Sequence, residues 1–319
     1  MGEFELIRNF FAAAPCAQGG VGVALGIGDD CALLDVPHGE QLAVSTDTLV
    51  AGVHFADPCD PFLLGQRSLA VAASDLAAMG ATPLAFTLAL TLPTVQADWL
   101  QAFARGLNRM AQHCGLQLIG GDTTRGPLCL TLTVFGRVPN GHALKRSGAR
   151  PGDLLCVGGE LGNAAGALPL VLGQRTAAPL ISEPLLAHYW SPQPQLALGQ
   201  ALRGKATSAL DISDGLLADC GHIATASRVG LVIDLDRVPI SLALEEFLGD
   251  SGAQLAALSG GDDYVLAFTL PALELPTLLA DGWPIHVIGR VVEGQGVRLL
   301  DDEGHDITPT MHGYQHFGV

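Results

Sequence analysis

Charge is scarce in this chain, and basic charge scarcer still: charged residues make up 15% of the 319 positions, with 16 Lys and Arg against 32 Asp and Glu. A formal charge of −16 argues against a surface for nucleic acids or anionic membranes, without forbidding an anionic ligand. Aromatic residues amount to only 5%. No apolar run reaches the roughly 20 residues needed to cross a bilayer, and MGEFELIRNFF lacks the basic and apolar regions of a signal peptide, which predicts a soluble cytoplasmic protein. The seven cysteines are odd in number, scattered singly and never paired as C-x-x-C, which argues against zinc sites and a disulfide framework. Neither a G-x-x-x-x-G-K-[ST] phosphate loop nor the catalytic-loop and metal motifs of protein kinases occur.

Apolar residues make up 49% and Gly occupies 40 positions, the composition of an ordered, loop-rich globular chain. Its length predicts two domains. In the first half, 42–48 reads as a strand ending in polar residues, followed by a helix from Pro61 to Met79. LAFTLALTL from Leu84 and LCLTLTVF from Leu128 alternate as strands, with a helix from Ala97 to Cys114 between them. Leu on one face marks a core. The opposite face, Ala and Thr in one strand and Cys129, Thr131, Thr133 and Phe135 in the other, is too apolar for full exposure and predicts packing against a second subunit. PNGHALKRSGARPGD has the composition of a connection, so the domains are placed at 1–140 and 141–319. The second half carries strands at LLCVGG, SALDISDG, LVIDL, YVLAFTL and HVIGRVV, and helices at 162–172, 193–202 and 216–226. Strands and helices interleave, predicting an α/β or α+β class.

Five acidic segments share a grammar in which Asp follows a strand-like or glycine-rich stretch, so that the backbone turns and a carboxylate projects. They are GIGDDCALL (Asp29, Asp30), STDTL (Asp47), GGDTTRG (Asp122), LDISDG (Asp211, Asp214) and SGGDDY (Asp262, Asp263). Asp75 lies inside an Ala-rich helix, where burial demands a cationic partner. Any one such segment is ordinary turn chemistry, but five together predict a metal site. Two carboxylates about 4 Å apart repel by roughly 4 kcal/mol at an effective dielectric near 20, and a divalent cation removes that cost. Oxygen ligands at about 2.1 Å, with water and phosphate filling the remaining positions, suit Mg²⁺. GGDTTRG offers the N–H groups of Gly120 and Gly121 and the hydroxyls of Thr123 and Thr124 to a phosphate, and Arg146 is a candidate counter-charge.

GIGDDCALL, STDTLVAGVHF, SDLAAMGATP, LIGGDTTRGPL, RSGARPGD, DISDGL and GYQHF occur in the order of the motifs of thiamine-monophosphate kinases, and the chain resembles that family over nearly its whole length. The resemblance extends to the superfamily of aminoimidazole ribonucleotide synthetase and selenophosphate synthetase. It implies a two-domain fold whose N-terminal sheet pairs into a barrel across a homodimer and whose C-terminal α/β domain completes the active site. It implies ATP and thiamine monophosphate as substrates and several Mg²⁺ ions held by Asp30, Ser45, Thr46, Asp47, Asp75, Asp122, Asp211 and Asp214. Gly121, Asp122, Arg146 and Ser213 are implied to contact ATP. His54, Asp262 and Phe317 are implied to contact thiamine monophosphate, with Tyr314 an alternative aromatic to Phe317. GGDDYVL departs from the family's GGEDYEL, so Asp262 stands where a longer Glu is usual. The implied chemistry is direct, in-line phosphoryl transfer, without a phosphoenzyme or a dedicated general base. Two other readings stand beside it: another ATP-dependent reaction of the superfamily, and a non-catalytic nucleotide-binding scaffold. A selenophosphate synthetase is expected to carry a reactive Cys with a nearby Lys in its glycine-rich arm, and the run after Cys16 lacks that Lys.

Overall fold

The computed structural model describes residues 3–28 and 30–309, which form two compact units. One comprises Met1–Leu76 and Ala81–Gly141, the other Ala77–Gly80 and His142–Val319. Among the described residues, no helix is long and apolar enough to cross a membrane.

The first unit opens with a short helix, α1 (Glu3–Leu6), and a small antiparallel pair, β1 (Val23–Leu25) with β2 (Leu33–Leu34). Its main sheet has the order β3-β6-β4-β5 and is built from β3 (Glu40–Val50), β4 (Thr82–Leu92), β5 (Gln117–Arg125) and β6 (Cys129–Pro139). The β4–β5 pair is parallel and the other two pairs are antiparallel. The alternation seen in the sequence decides which side is buried for most of β4: Phe86, Leu88, Leu90 and Leu92 join Leu130, Leu132 and Val134 of β6 in the core. Leu84, expected on the same face, lies at a register shift and packs with Ala85, Ile119 and Phe135 in a separate cluster. Helices α2 (Pro61–Ala78) and α3 (Ala97–Cys114) supply further apolar residues, α3 through Leu100, Phe103, Leu107, Met110 and Cys114 at helical spacing. Gly115, in the left-handed region, ends α3 and donates its N–H to Ala111 and Gln112.

The second unit has a six-stranded sheet in the order β12-β9-β11-β7-β10-β8. Its strands are β7 (Leu154–Val157), β8 (Ser208–Asp211), β9 (Gly230–Asp234), β10 (Leu266–Leu270), β11 (His286–Val292) and β12 (Gly296–Leu300). Only β12 and β9 run parallel among these pairs. The helices are α4 (Asn163–Val171), α5 (Pro179–Trp190), α6 (Leu196–Ala201), α7 (Leu216–Ser227), α8 (Leu242–Leu248), α9 (Asp250–Ser259) and α10 (Leu275–Ala280). Leu216, Cys220, Ile223 and Ala224 of α7 pack with Leu155, Leu210, Leu231, Ile233 and Ile288 of the strands, while α4, α5, α8 and α9 form a second cluster around Leu185, Tyr189, Leu244 and Phe247.

All seven cysteines are free, and Cys16, Cys114, Cys156 and Cys220 are buried. Burial pushes the Cys16 thiol up to about 11 and the Cys114 and Cys156 thiols to about 12, so these groups stay protonated at neutral pH.

Candidate functional site

In the first unit, the acidic motifs lie on strands more than in turns. β3 runs unbroken through Ser45, Thr46 and Asp47 to Val50, so Asp47 is a strand-interior residue and not the end of the strand that 42–48 suggested. All of GGDTTRG but its last glycine likewise lies within β5, at the sheet edge, rather than in a free phosphate-cradling loop. Thr46, Thr48, Leu49 and Val50 favour extended backbone, and their pairing with β6 outweighs the turn tendency of Ser and Asp. Gly121 is required where it stands: its φ is +152°, and an added Cβ would lie 1.9 Å from the Leu88 carbonyl oxygen.

The register locates these groups. Ser45 and Asp47 lie opposite Val134 and Leu132, on the buried side, where the Ser45 hydroxyl donates to the half-buried carboxylate of Asp75 on α2. Asp75 therefore finds a partner in a hydroxyl, and the two bring oxygen donors from a strand and a helix together. Asp47, Leu132, Leu88 and Gly121 form one row across the sheet, placing Asp47 and Gly121 on opposite edge strands about 14 Å apart at the usual strand spacing. Asp122 falls in the next row, with Ala89, Thr131 and Thr48, on the face that also carries Thr46. Within one chain, then, Asp47 and Asp122 are not neighbours. Asp30 is exposed in the bend between β1 and β2. Asp29 lies outside the described residues.

His54 sits in the turn after β3. Its Nδ1 accepts the N–H of Val50 at 3.0 Å and its own N–H donates to the Val50 carbonyl at 3.0 Å. An accepting Nδ1 makes Nε2 the protonated nitrogen of the neutral ring.

In the second unit, two chemistry-bearing turns meet. Asp211 ends β8, half-buried Ser213 and Asp214 follow, and α7 begins at Leu216. The N–H of Asp262 donates to the Ser213 carbonyl at 2.9 Å and that of Tyr264 to the Ile212 carbonyl at 2.8 Å, which fastens the SGGDDY turn to the DISDG turn. Asp262 and Tyr264 both have positive φ, 71° and 53°, a conformation costly for a tyrosine and maintained here by these bonds. The Tyr264 hydroxyl donates to Asp262 Oδ1 at 2.9 Å, fixing that carboxylate. Asp263, its neighbour, does something else: both of its oxygens accept the N–H of Gly162, at 3.0 and 2.8 Å, at the start of α4. Arg146 is exposed on a turn that belongs to the second unit, where the Ala209 N–H donates to the Lys145 carbonyl at 2.9 Å and Ala149 enters the core. Phe317 and Tyr314 lie outside the described residues.

Asp219 is a group that motif reading passed over. It is buried on the first turns of α7, and its Oδ2 accepts the N–H groups of Ser213 at 3.0 Å and Asp214 at 2.9 Å. Burial pushes it up to about 6, opposed by the Asp214 N–H, raised further by the Asp214 charge and drawn down by the Ser213 N–H and the charge of Arg146. Its only signal in the sequence is an acid placed early in the helix that follows DISDG.

Among the described residues, no three His, Cys, Asp or Glu side chains gather into a ready-made metal centre. Mg²⁺ does not need one, since one or two carboxylates with water and substrate phosphates complete its shell. The donors offered by Ser45, Thr46, Asp47 and Asp75 are oxygens only, which fits a hard cation and excludes a site for a soft one. The protonated, buried Cys16 is the opposite of an activated nucleophile.

Residues 28–138 match the family described as AIR synthase related protein, N-terminal domain, and residues 150–302 match its C-terminal domain. The thiamine-monophosphate kinase of Salmonella typhimurium is 46% identical over 328 residues, covering 100% of this chain and 99% of the relative. That of Escherichia coli is 46% identical over 324 residues, with the same coverage. A crystal structure of thiamine-monophosphate kinase from Stenotrophomonas maltophilia matches with a TM-score of 0.83 at 46% identity, over 88% of this chain and 91% of that chain. A structure described as AaThiL complexed with AMPPCP and TMP matches with a TM-score of 0.80 at 28% identity, over 89% of each chain. With both domains matched in order and the identity sustained from end to end, the chain belongs to the thiamine-monophosphate kinase family.

Proposed function

We propose that the chain is a cytoplasmic enzyme that transfers the terminal phosphoryl group of ATP to thiamine monophosphate, yielding thiamine diphosphate by direct in-line displacement. The observation that carries this reading is the end-to-end identity of 46% to thiamine-monophosphate kinases. A related ThiL structure holds AMPPCP and TMP together, which supports the same pair of ligands here.

Asp30, Ser45, Thr46, Asp47, Asp75, Asp122, Asp211 and Asp214 are the proposed Mg²⁺ ligands. The bound ions would neutralise the phosphate oxygens of both substrates and spread the charge of the transition state. The acceptor phosphate is already largely ionised at neutral pH, so no side chain need remove a proton. Gly121, which has no side chain to hold the ligand away, together with Asp122, Arg146 and Ser213, makes up the proposed ATP contacts. His54 through Nε2, Asp262 held by Tyr264, and Phe317 are the proposed contacts to thiamine monophosphate. Since Asp47 and Asp122 occupy opposite sheet edges, an ion shared between them requires a second copy of the chain, and the reading includes a homodimer formed through the first unit's sheet.

Incubating the purified chain with ATP, Mg²⁺ and thiamine monophosphate is expected to give thiamine diphosphate, identified by mass, and to give none when Mg²⁺ is chelated. ATP turnover with no thiamine diphosphate would assign the chain to another reaction, and neither product would leave a binding scaffold.

A further inference from the structure

Arg146 owes its place to a side chain that no motif singles out. Ser227, the last residue of α7, donates its hydroxyl to the Arg146 carbonyl at 3.1 Å and accepts the N–H groups of Gly148 at 3.0 Å and Ala149 at 3.1 Å. A serine hydroxyl has one hydrogen to give and two lone pairs to offer, so its bonding capacity is spent on one turn. That turn has little freedom besides. Gly148 has a φ of +125°, and a Cβ there would come within 2.3 Å of the Thr207 carbonyl oxygen. At its far end, Asp153 accepts from the Arg150 N–H at 2.9 Å and the Thr207 hydroxyl at 2.7 Å.

The same helix governs the other turn. Asp219, two helical turns before Ser227, holds the N–H groups of Ser213 and Asp214. Ser227 and Asp219 therefore fasten both turns to one helix. A rigid helix with one polar grip near each end fixes the spacing between the backbone of Arg146 and that of the Ser213 turn, which is the pre-organisation that binding a polyphosphate rewards.

We propose that Ser227 is a positioning residue for nucleotide binding, setting the backbone of the 146–149 turn so that Arg146 is presented alongside Ser213. The inference rests on the reading of Arg146 and Ser213 as ATP contacts. Removing the hydroxyl breaks three bonds to the backbone of this turn and lets it relax, a change of the size that weakens binding by about tenfold.

Steady-state kinetics of the full chain tests this with Ser227→Ala, Ser227→Thr and Arg146→Ala. Ser227→Ala is expected to raise KM for ATP about tenfold, leaving KM for thiamine monophosphate and kcat within about twofold, and Ser227→Thr, which keeps the hydroxyl, to restore the ATP value. Thermal unfolding followed by circular dichroism confirms that the variants remain folded. A Ser227→Ala enzyme with unchanged KM for ATP, or with both KM values raised alike and stability lost, overturns the inference. If Arg146→Ala weakens ATP binding while Ser227→Ala does not, the inference alone fails. If Arg146→Ala leaves ATP binding untouched, the nucleotide reading of that turn fails and the inference with it.

Discussion

Both oxygens of Asp263 accept the amide of Gly162, and the Ala164 amide also bonds to this carboxylate at the first turn of α4. A carboxylate there complements the positive end of a helix, yet its burial costs more than those bonds return to the charged form. Burial pushes its pKa up to about 8, with the Gly162 amide opposing and the Asp262 charge adding to it. The folded state thus binds this proton more tightly than the unfolded state, where an Asp titrates near 4. Below about pH 4 both states hold the proton. As pH rises from there toward 8, the unfolded chain releases it first, so this group's contribution falls across that window. Asp263→Asn keeps an acceptor for Gly162 and removes the titration. Urea unfolding at pH 5 and pH 8 is expected to show the variant losing less stability than the parent between the two values, and equal losses would mean that Asp263 is ionised in the fold throughout. SGGDDY offered two adjacent acids with nothing to tell them apart. Asp262 faces Tyr264 and Asp263 caps a helix, a division set by positive φ at Asp262 and Tyr264, which composition does not encode.

Helices α2 and α3 approach one another through glycine. A Cβ on Gly106 would lie 1.9 Å from the Phe62 carbonyl oxygen, and one on Gly65 would lie 2.4 Å from that of Phe103. The obstacle is backbone in both cases, so no rotamer change relieves it and the helices must part. Gly106→Ala would gain helix propensity of about 1 kcal/mol in isolation, but overpacking of this kind costs about 1–3 kcal/mol or more. A lowered urea midpoint is expected, and an unchanged one would show that the helices separate freely. Elements of this kind were legible where a period governs them. The helix from Ala97 to Cys114 and the strand HVIGRVV stand at their expected bounds because capping Gly115 marks the one and a concentration of β-branched Val and Ile the other. β5 was not legible as a strand, because Gly120, Gly121 and Asp122 belong to residue types that strands disfavour, and pairing with β4 overrides them. α5 escaped notice because Pro179 and Pro184 interrupt its pattern, although Pro179 is a favourable first residue.

The open face of the first unit's sheet bears on the molecule as a whole. Leu42 and Val44 of β3 are 42% and 54% exposed, and beside them Thr46 bonds to Thr133 and Thr48 to Thr131, each at 2.9 Å. Those threonines satisfy each other's hydroxyls, so the face is less polar than its composition suggests. The alternating Leu and Thr pattern made this second face visible in the sequence, but which carboxylates share a row was not, because register depends on bulges such as the one between Phe86 and Thr87. Asp122 lies in a row on the open face and Asp47 on the buried side at the opposite edge: if a second copy supplies the missing neighbour, association and metal binding are linked and each strengthens the other. Val44→Glu places a charge on that face and replaces none of the proposed ligands. Light scattering is expected to show the parent chain as a dimer and the variant as a monomer, and the monomer is expected to need far more Mg²⁺ for turnover. A monomeric variant with the parent's Mg²⁺ dependence would confine each metal site to a single chain, with Asp47 and Asp122 serving separate ions.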